Sequence, residues 1–277
     1  MRVPVLTYHA QNIAGNDYAG NDLVAFGEDL RLIDDLGLRI VPLQSVVARL
    51  LGRSDEDLTG CVALSCDDGT DFDVRDLRDP TWGPQRSLKG RMDDFIAERG
   101  ADAQPGLHLT AFVVASPMAR TDIDAQCLSG QGWMSEDWWA QAAASGRFAI
   151  ENHSWDHNHD AIRFPGIAGM ARGDFHQVDD RERARAEVAD AARYIDQRTA
   201  PRRTSLFCYP FGHVPDYLLR EYFPRHGDEH GMLAAVSDGA CPVTPASDRW
   251  LLPRYIRGWH WKSPQDLEAI LRDATGR

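Results

Sequence analysis

Two adjacent carboxylates, Asp67 and Asp68, stand directly before Gly69, and two imidazoles, His153 and His157, stand four residues apart. A third stretch, Phe207-Cys208-Tyr209-Pro210-Phe211-Gly212, supplies a Pro/Gly turn whose backbone can approach a ligand closely. Zinc accepts imidazole nitrogen and carboxylate oxygen, and a catalytic site uses three protein ligands plus water. Asp68, His153 and His157 are therefore the expected metal ligands, the i, i+4 spacing placing both rings on one helical face. Asp67, beside a ligand, is the expected base that takes the proton from an attacking water. Alone, each piece has an ordinary meaning: a solvated turn, an incidental pair, a structural turn. In combination, in this order and each behind an apolar run, they read as one divalent-metal hydrolase site. His159 also forms a His-x-His with His157, but His153 directly follows a strand and is preferred.

The elements that must position these groups alternate between strand and helix. Val3–Tyr8, Leu38–Val41, Cys61–Cys66, Leu107–Ala115, Phe148–Glu151, Ser205–Tyr209, Met232–Val236 and Leu251–Ile256 read as strands. Helical periodicity covers Phe26, Leu30 and Ile33, then Ser45–Leu51, Leu88–Glu98, Ser135–Ala144, Asp179–Arg198 and Pro264–Leu271. The polar segment from Thr70 to about Pro84 reads as a loop or lid. Interleaved strands and helices predict parallel crossover units, a barrel or a doubly wound sheet, in a single domain over residues 1–277. Ligands of such folds collect at the C-terminal strand ends, where all three motifs fall.

Composition narrows the partners. A formal charge of -12 excludes a broad nucleic-acid or anionic-membrane surface, since both are bound through basic groups. Five cysteines form an odd set with no C-x-x-C pair, and Cys61, Cys66 and Cys208 lie in apolar runs, where a reduced thiol packs as a small hydrophobe. No run approaches the roughly 20 apolar residues of a membrane span. The first residues enter a strand without a signal-peptide pattern, so the expectation is a cytoplasmic protein. Oligomeric state has no signature in the sequence.

The chain resembles the polysaccharide deacetylases of the NodB-homology type, carbohydrate esterase family 4. The matching parts are Val3–His9, Leu64–Gly69, Leu109–Val114, Asn152–His157 and Phe207–Gly212, spread over roughly residues 3–260. The resemblance implies a distorted (β/α) barrel of fewer than eight strands, about seven, and a zinc-type ion on Asp68, His153 and His157. It implies Asp67 as general base, the Phe211 N–H as an oxyanion donor, and an N-acetylated (or O-acetylated) amino sugar or oligosaccharide as substrate. Three positions depart from the family pattern: Cys66 replaces its Phe, Cys208 its base-orienting Arg, and Phe211 its Tyr. Arg254 or Arg257 is expected to take over from the missing arginine. His260 is the expected general acid, with His213 as a second candidate, and Tyr209, Trp259 and Trp261 are the expected sugar contacts. Two other functions stay open on the same barrel: hydrolysis of cyclic amides or other non-peptide C–N bonds, and carbohydrate binding without catalysis.

Overall fold

Apolar runs flanked by polar turns become short strands buried along their length. The computed structural model describes residues 1–276. Its strands are Val5–Tyr8 (β1), Arg39–Ile40 (β2), Cys61–Cys66 (β3), Leu77–Asp79 (β4), Gly83–Gln85 (β5), Leu109–Val113 (β6), Phe148–Asn152 (β7), Leu206–Cys208 (β8), Ala234–Asp238 (β9) and Leu252–Ile256 (β10). All four residues of β1, all six of β3 and all five of β6 are buried, as expected of strands covered on both faces. The principal sheet has the order β1-β10-β9-β8-β7-β6-β3-β2, and β1 also pairs with β3. That extra pairing closes seven strands into a parallel barrel of the (β/α) type, with β2 added outside β3.

The chain falls into two compact units. The first comprises Met1–Thr110, Asp238–Ser247 and the chain from Pro253 onward. Within it β1 runs parallel to β3 in the register Val5↔Ala63 to Tyr8↔Cys66, and to β10 through Leu6↔Tyr255 and Thr7↔Ile256. The second comprises Ala111–Ser237 and Asp248–Leu252. Its core gathers Phe175, Val188, Phe207, Tyr209, Tyr222 and Phe223 around the parallel pairs β7–β8 and β8–β9.

Several elements differ from the sequence expectation. The first helix starts earlier, at Asp22, because the Asn21 side chain accepts the N–H groups of Leu23 and Val24. The segment from Thr70 is more than a loop: Asp71–Asp73 forms a 3₁₀ turn and β4 and β5 pair as an antiparallel hairpin. The helix expected over Ser135–Ala144 is confined to Trp139–Ala144. A helix over Pro117–Cys127 went unforeseen although its start signal is present, Ser116 capping the Ala119 N–H with Pro117 behind it. The long helix expected over Asp179–Arg198 is continuous through Arg181–Ala184, Arg185–Asp190 and Ala191–Thr199, its middle stretch wound as π-helix. No helix among the described residues is long and apolar enough to cross a membrane.

Candidate active site

In the first unit, strand register decides which groups meet. Because Tyr8 pairs with Cys66, the next residues, His9 and Asp67, leave their strands side by side. The Asp67 N–H donates to the Tyr8 carbonyl at 3.1 Å, and His9 Nε2 lies 3.9 Å from Asp67 Oδ2. Arg254 comes from β10, on the other side of β1. Its two terminal nitrogens donate to Asp67 Oδ1 and Oδ2, each at 2.8 Å, with both side chains almost wholly buried. Such a two-point charged pair fixes the plane of the carboxylate and favours its ionised form. Arg257, the other arginine considered, serves elsewhere: it donates to the Tyr18 and Ala19 carbonyls and lies 3.7 Å from Asp22.

Asp68 follows in the left-handed region at φ 75°, with Gly69 at 74°, so the chain turns sharply as it leaves β3. Aspartate tolerates that conformation better than most residues. The Gln11 amide donates to Asp68 Oδ2. Asp73, fully buried one turn later, is pushed well above the usual carboxylate range, first by burial and then by the charge of Asp68.

In the second unit, His153 stands at the end of β7, its N–H donating to the Val113 carbonyl. Its Nδ1 lies 3.0 Å from the Cys208 carbonyl oxygen. A carbonyl only accepts, so Nδ1 carries a proton, which in a neutral ring leaves the lone pair on Nε2. Metal-bound histidines are oriented by this same kind of bond, so the ring suits a cation. The rings of His153 and His157 meet edge to face, 4.7 Å between centroids.

They do not share a helical face, however. Residues 153–158 form a loop in which Ser154, His157 and Asn158 have φ of 69°, 63° and 44°. Backbone of this kind costs of order 1–3 kcal/mol per residue and persists where surroundings over-determine it. Here Ser154 Oγ accepts the His157 N–H at 2.8 Å, and Asn152 Oδ1 accepts the Ser154 N–H. Glu187, from the π-wound turn, accepts the N–H groups of Trp155 and Asp156 through one oxygen, at 3.0 and 3.3 Å. Asp156 in turn receives Arg172 at 2.7 Å, and the Asn158 amide donates to the Ala171 and Asp174 carbonyls. Burial, then the charge of Asp156, pushes the Glu187 carboxyl well up.

Residues 103–223, which contain this histidine loop, match the family described as polysaccharide deacetylase. The segment belongs to that family. Among curated protein sequences none matches the chain. Three solved structures share the fold of nearly the whole chain. A polysaccharide deacetylase from Bacillus cereus is 14% identical with a TM-score of 0.60, covering 98% of this chain and 69% of its own. The Streptococcus pyogenes deacetylase PplD, solved in complex with acetate, is 16% identical with a TM-score of 0.62 and covers 98% of both. IcaB from Ammonifex degensii is 17% identical with a TM-score of 0.62, covering 99% of this chain and 97% of its own.

Within the deacetylase segment, the turn after β8 places Phe211 at φ 59° with its ring 4.3 Å from that of His157. The N–H groups of Gly212 and His213 close this turn onto the carbonyls of Tyr209 and Pro210. Tyr209, expected to contact sugar, is instead a core residue: it is buried and its hydroxyl donates to the Trp250 carbonyl. Trp261 is likewise buried, set edge-on to Tyr8, and its indole N–H donates to Asp29. A ring with no open face cannot stack on a sugar. Trp259, 72% exposed, retains one.

His260 is partly buried, and its Nδ1 accepts the Ile256 N–H at 2.7 Å. That bond orients the ring and commits Nδ1 as an acceptor. Glu187 and Arg172 escaped the sequence reading, and His9 had a place in it but no role. Only His9 left a signal, its place one residue past a strand end; Glu187 and Arg172 look like surface charges until the chain folds.

Proposed function

We propose that this protein is a metal-dependent hydrolase that removes acetyl groups from the amino sugars of a glycan or glycan precursor. The observation that carries this is the buried, two-point grip of Arg254 on Asp67, which prepares an ionised and oriented carboxylate base where the deacetylase pattern has lost its arginine. The family match over residues 103–223 and the acetate found with the Streptococcus pyogenes relative support the same class of reaction, since acetate is what it would release.

In this proposal Asp68, His153 and His157 hold the ion, a donor set of one carboxylate and two imidazoles that suits zinc. Such an ion, when bound, polarises a carbonyl and makes water more acidic. Asp67 takes the proton of the attacking water, and Arg254 keeps the carboxylate turned to receive it. The Phe211 N–H donates to the oxygen that becomes negative in the tetrahedral state, and the strained turn holds that donor in place beforehand. Trp259 offers an open ring for a sugar face.

The test is acetate release from N-acetylglucosamine oligomers by metal-loaded protein and two variants. Asp68→Ala should lose the ion and turnover together, whereas Asp67→Asn should keep the ion and lose roughly 10²–10⁴-fold in kcat. Undiminished turnover in Asp67→Asn would remove the base. Glycan affinity without acetate release by the parent protein would favour a binding role instead.

A further inference from the structure

A second group of metal-type donors lies in the second unit, apart from the pair at His153 and His157. Asp174, His176 and His213 each offer one ligand atom, and these atoms all lie within 4.8 Å of one another. The two rings are stacked, 4.6 Å between centroids and 17° from parallel. His213 Nδ1 lies 3.6 Å from Asp174 Oδ1, beyond hydrogen-bond reach, and it is buried with no hydrogen-bond partner. A ring nitrogen shielded from water and facing a carboxylate it does not bond is a donor position awaiting an acceptor.

The three side chains come from two turns that are both anchored at the histidine loop. Asp174 caps the short turn Phe175–Gln177 by accepting the His176 N–H, and its own carbonyl receives the Asn158 amide. His213 ends the turn that carries Phe211, and the Phe211 and His213 rings lie 5.4 Å apart. An ion between these donors would join one turn to the other.

We propose that Asp174, His176 and His213 form a second divalent-cation site that staples the Phe211 turn to the Phe175–Gln177 turn. Two imidazoles and one carboxylate select a borderline cation of the zinc, cobalt or nickel kind over calcium or magnesium, which prefer oxygen cages. Metal–nitrogen bonds of about 2.0–2.1 Å require the donors to draw closer than they stand, and His176, being exposed, is free to swing inward. The site is independent of the catalytic proposal, because none of its three residues is used there.

Cobalt(II) titration of the full-length, metal-stripped protein, read by visible absorption and by equilibrium dialysis, tests it. The parent should take up two ions, His176→Gln and His213→Gln one each, and His153→Ala one. The double variant His153→Ala/His176→Gln should take up none. Circular dichroism confirms that each variant is folded. If His176→Gln and His213→Gln bind as many ions as the parent, the second site does not exist. If His153→Ala binds none while His176→Gln binds one, the second site again fails and the first stands. A parent that binds one ion, kept in His153→Ala and lost in His176→Gln, would leave the second site standing and overturn the catalytic one.

Discussion

The second unit holds two pairs of imidazoles with almost equal ring separations and opposite surroundings. His153 and His157 are buried, meet edge to face, and sit on a loop held by Ser154, Glu187 and Asn158. His176 is exposed and His213 half-buried; they stack face to face and depend on two short turns. Proximity is the same in both; preorganisation differs. In the buried pair a carbonyl has already chosen the His153 tautomer and the strained backbone has already been folded into place. In the less buried pair the rings must still move to bind, so their affinity should be the lower and the easier to titrate away.

The largest effect expected from breaking this contrast is at His153. His153→Ala should bring deacetylation down to background while the fold persists, as checked by kinetics and a thermal melt; substantial remaining turnover would separate the buried pair from the chemistry. A smaller and more discriminating effect is expected at Glu187, which touches neither ring. Glu187→Ala removes the acceptor of the Trp155 and Asp156 N–H groups and should weaken metal affinity about 10–100-fold. Glu187→Gln keeps a carbonyl in that place and should recover most of the loss. Equal behaviour of the two variants in a competitive chelator titration would show that the loop is held by other contacts.

A further imidazole sharpens the contrast by having no ring partner among the described residues. His108, in the first unit just before β6, is lowered by burial from 6.5 to about 4. The unfolded chain therefore binds a proton there between about pH 6.5 and pH 4 and the folded chain does not. Its contribution to stability is complete above about pH 6.5 and is lost as pH falls toward 4, to an upper limit of about 3 kcal/mol. His108→Leu should flatten that part of the stability–pH curve in urea unfolding; an unchanged slope would place the acid sensitivity in other groups.

Much of the barrel was legible because its strands are continuous apolar runs, such as Cys-Val-Ala-Leu-Ser-Cys before Asp67, and burial on both faces demands that composition. The helix at Pro117 was missed for the opposite reason: its buried face mixes Arg120 and Asp124 with Ala119 and Ile123, and only its cap announces it. The site was legible as types of residue, since two carboxylates, two imidazoles and a Pro/Gly turn each stand at a strand end. Arg254 could be named as a candidate only because a position in the pattern was vacant.

What the amino-acid order determined alone is local: which runs bury, where they stop, and which chemically able side chains stand at the stopping points. The His153–His157 spacing suggested a helix, and the tertiary structure made a left-handed loop instead, because Ser154, Glu187 and Asn158 supply the hydrogen bonds a helix would have used. Only folding decided that Arg254 rather than Arg257 grips Asp67, that Trp261 and Tyr209 are core, and that His176 stacks on His213 from 37 positions away. Register and packing set those pairings, and neither is written in the spacing of residues along one strand.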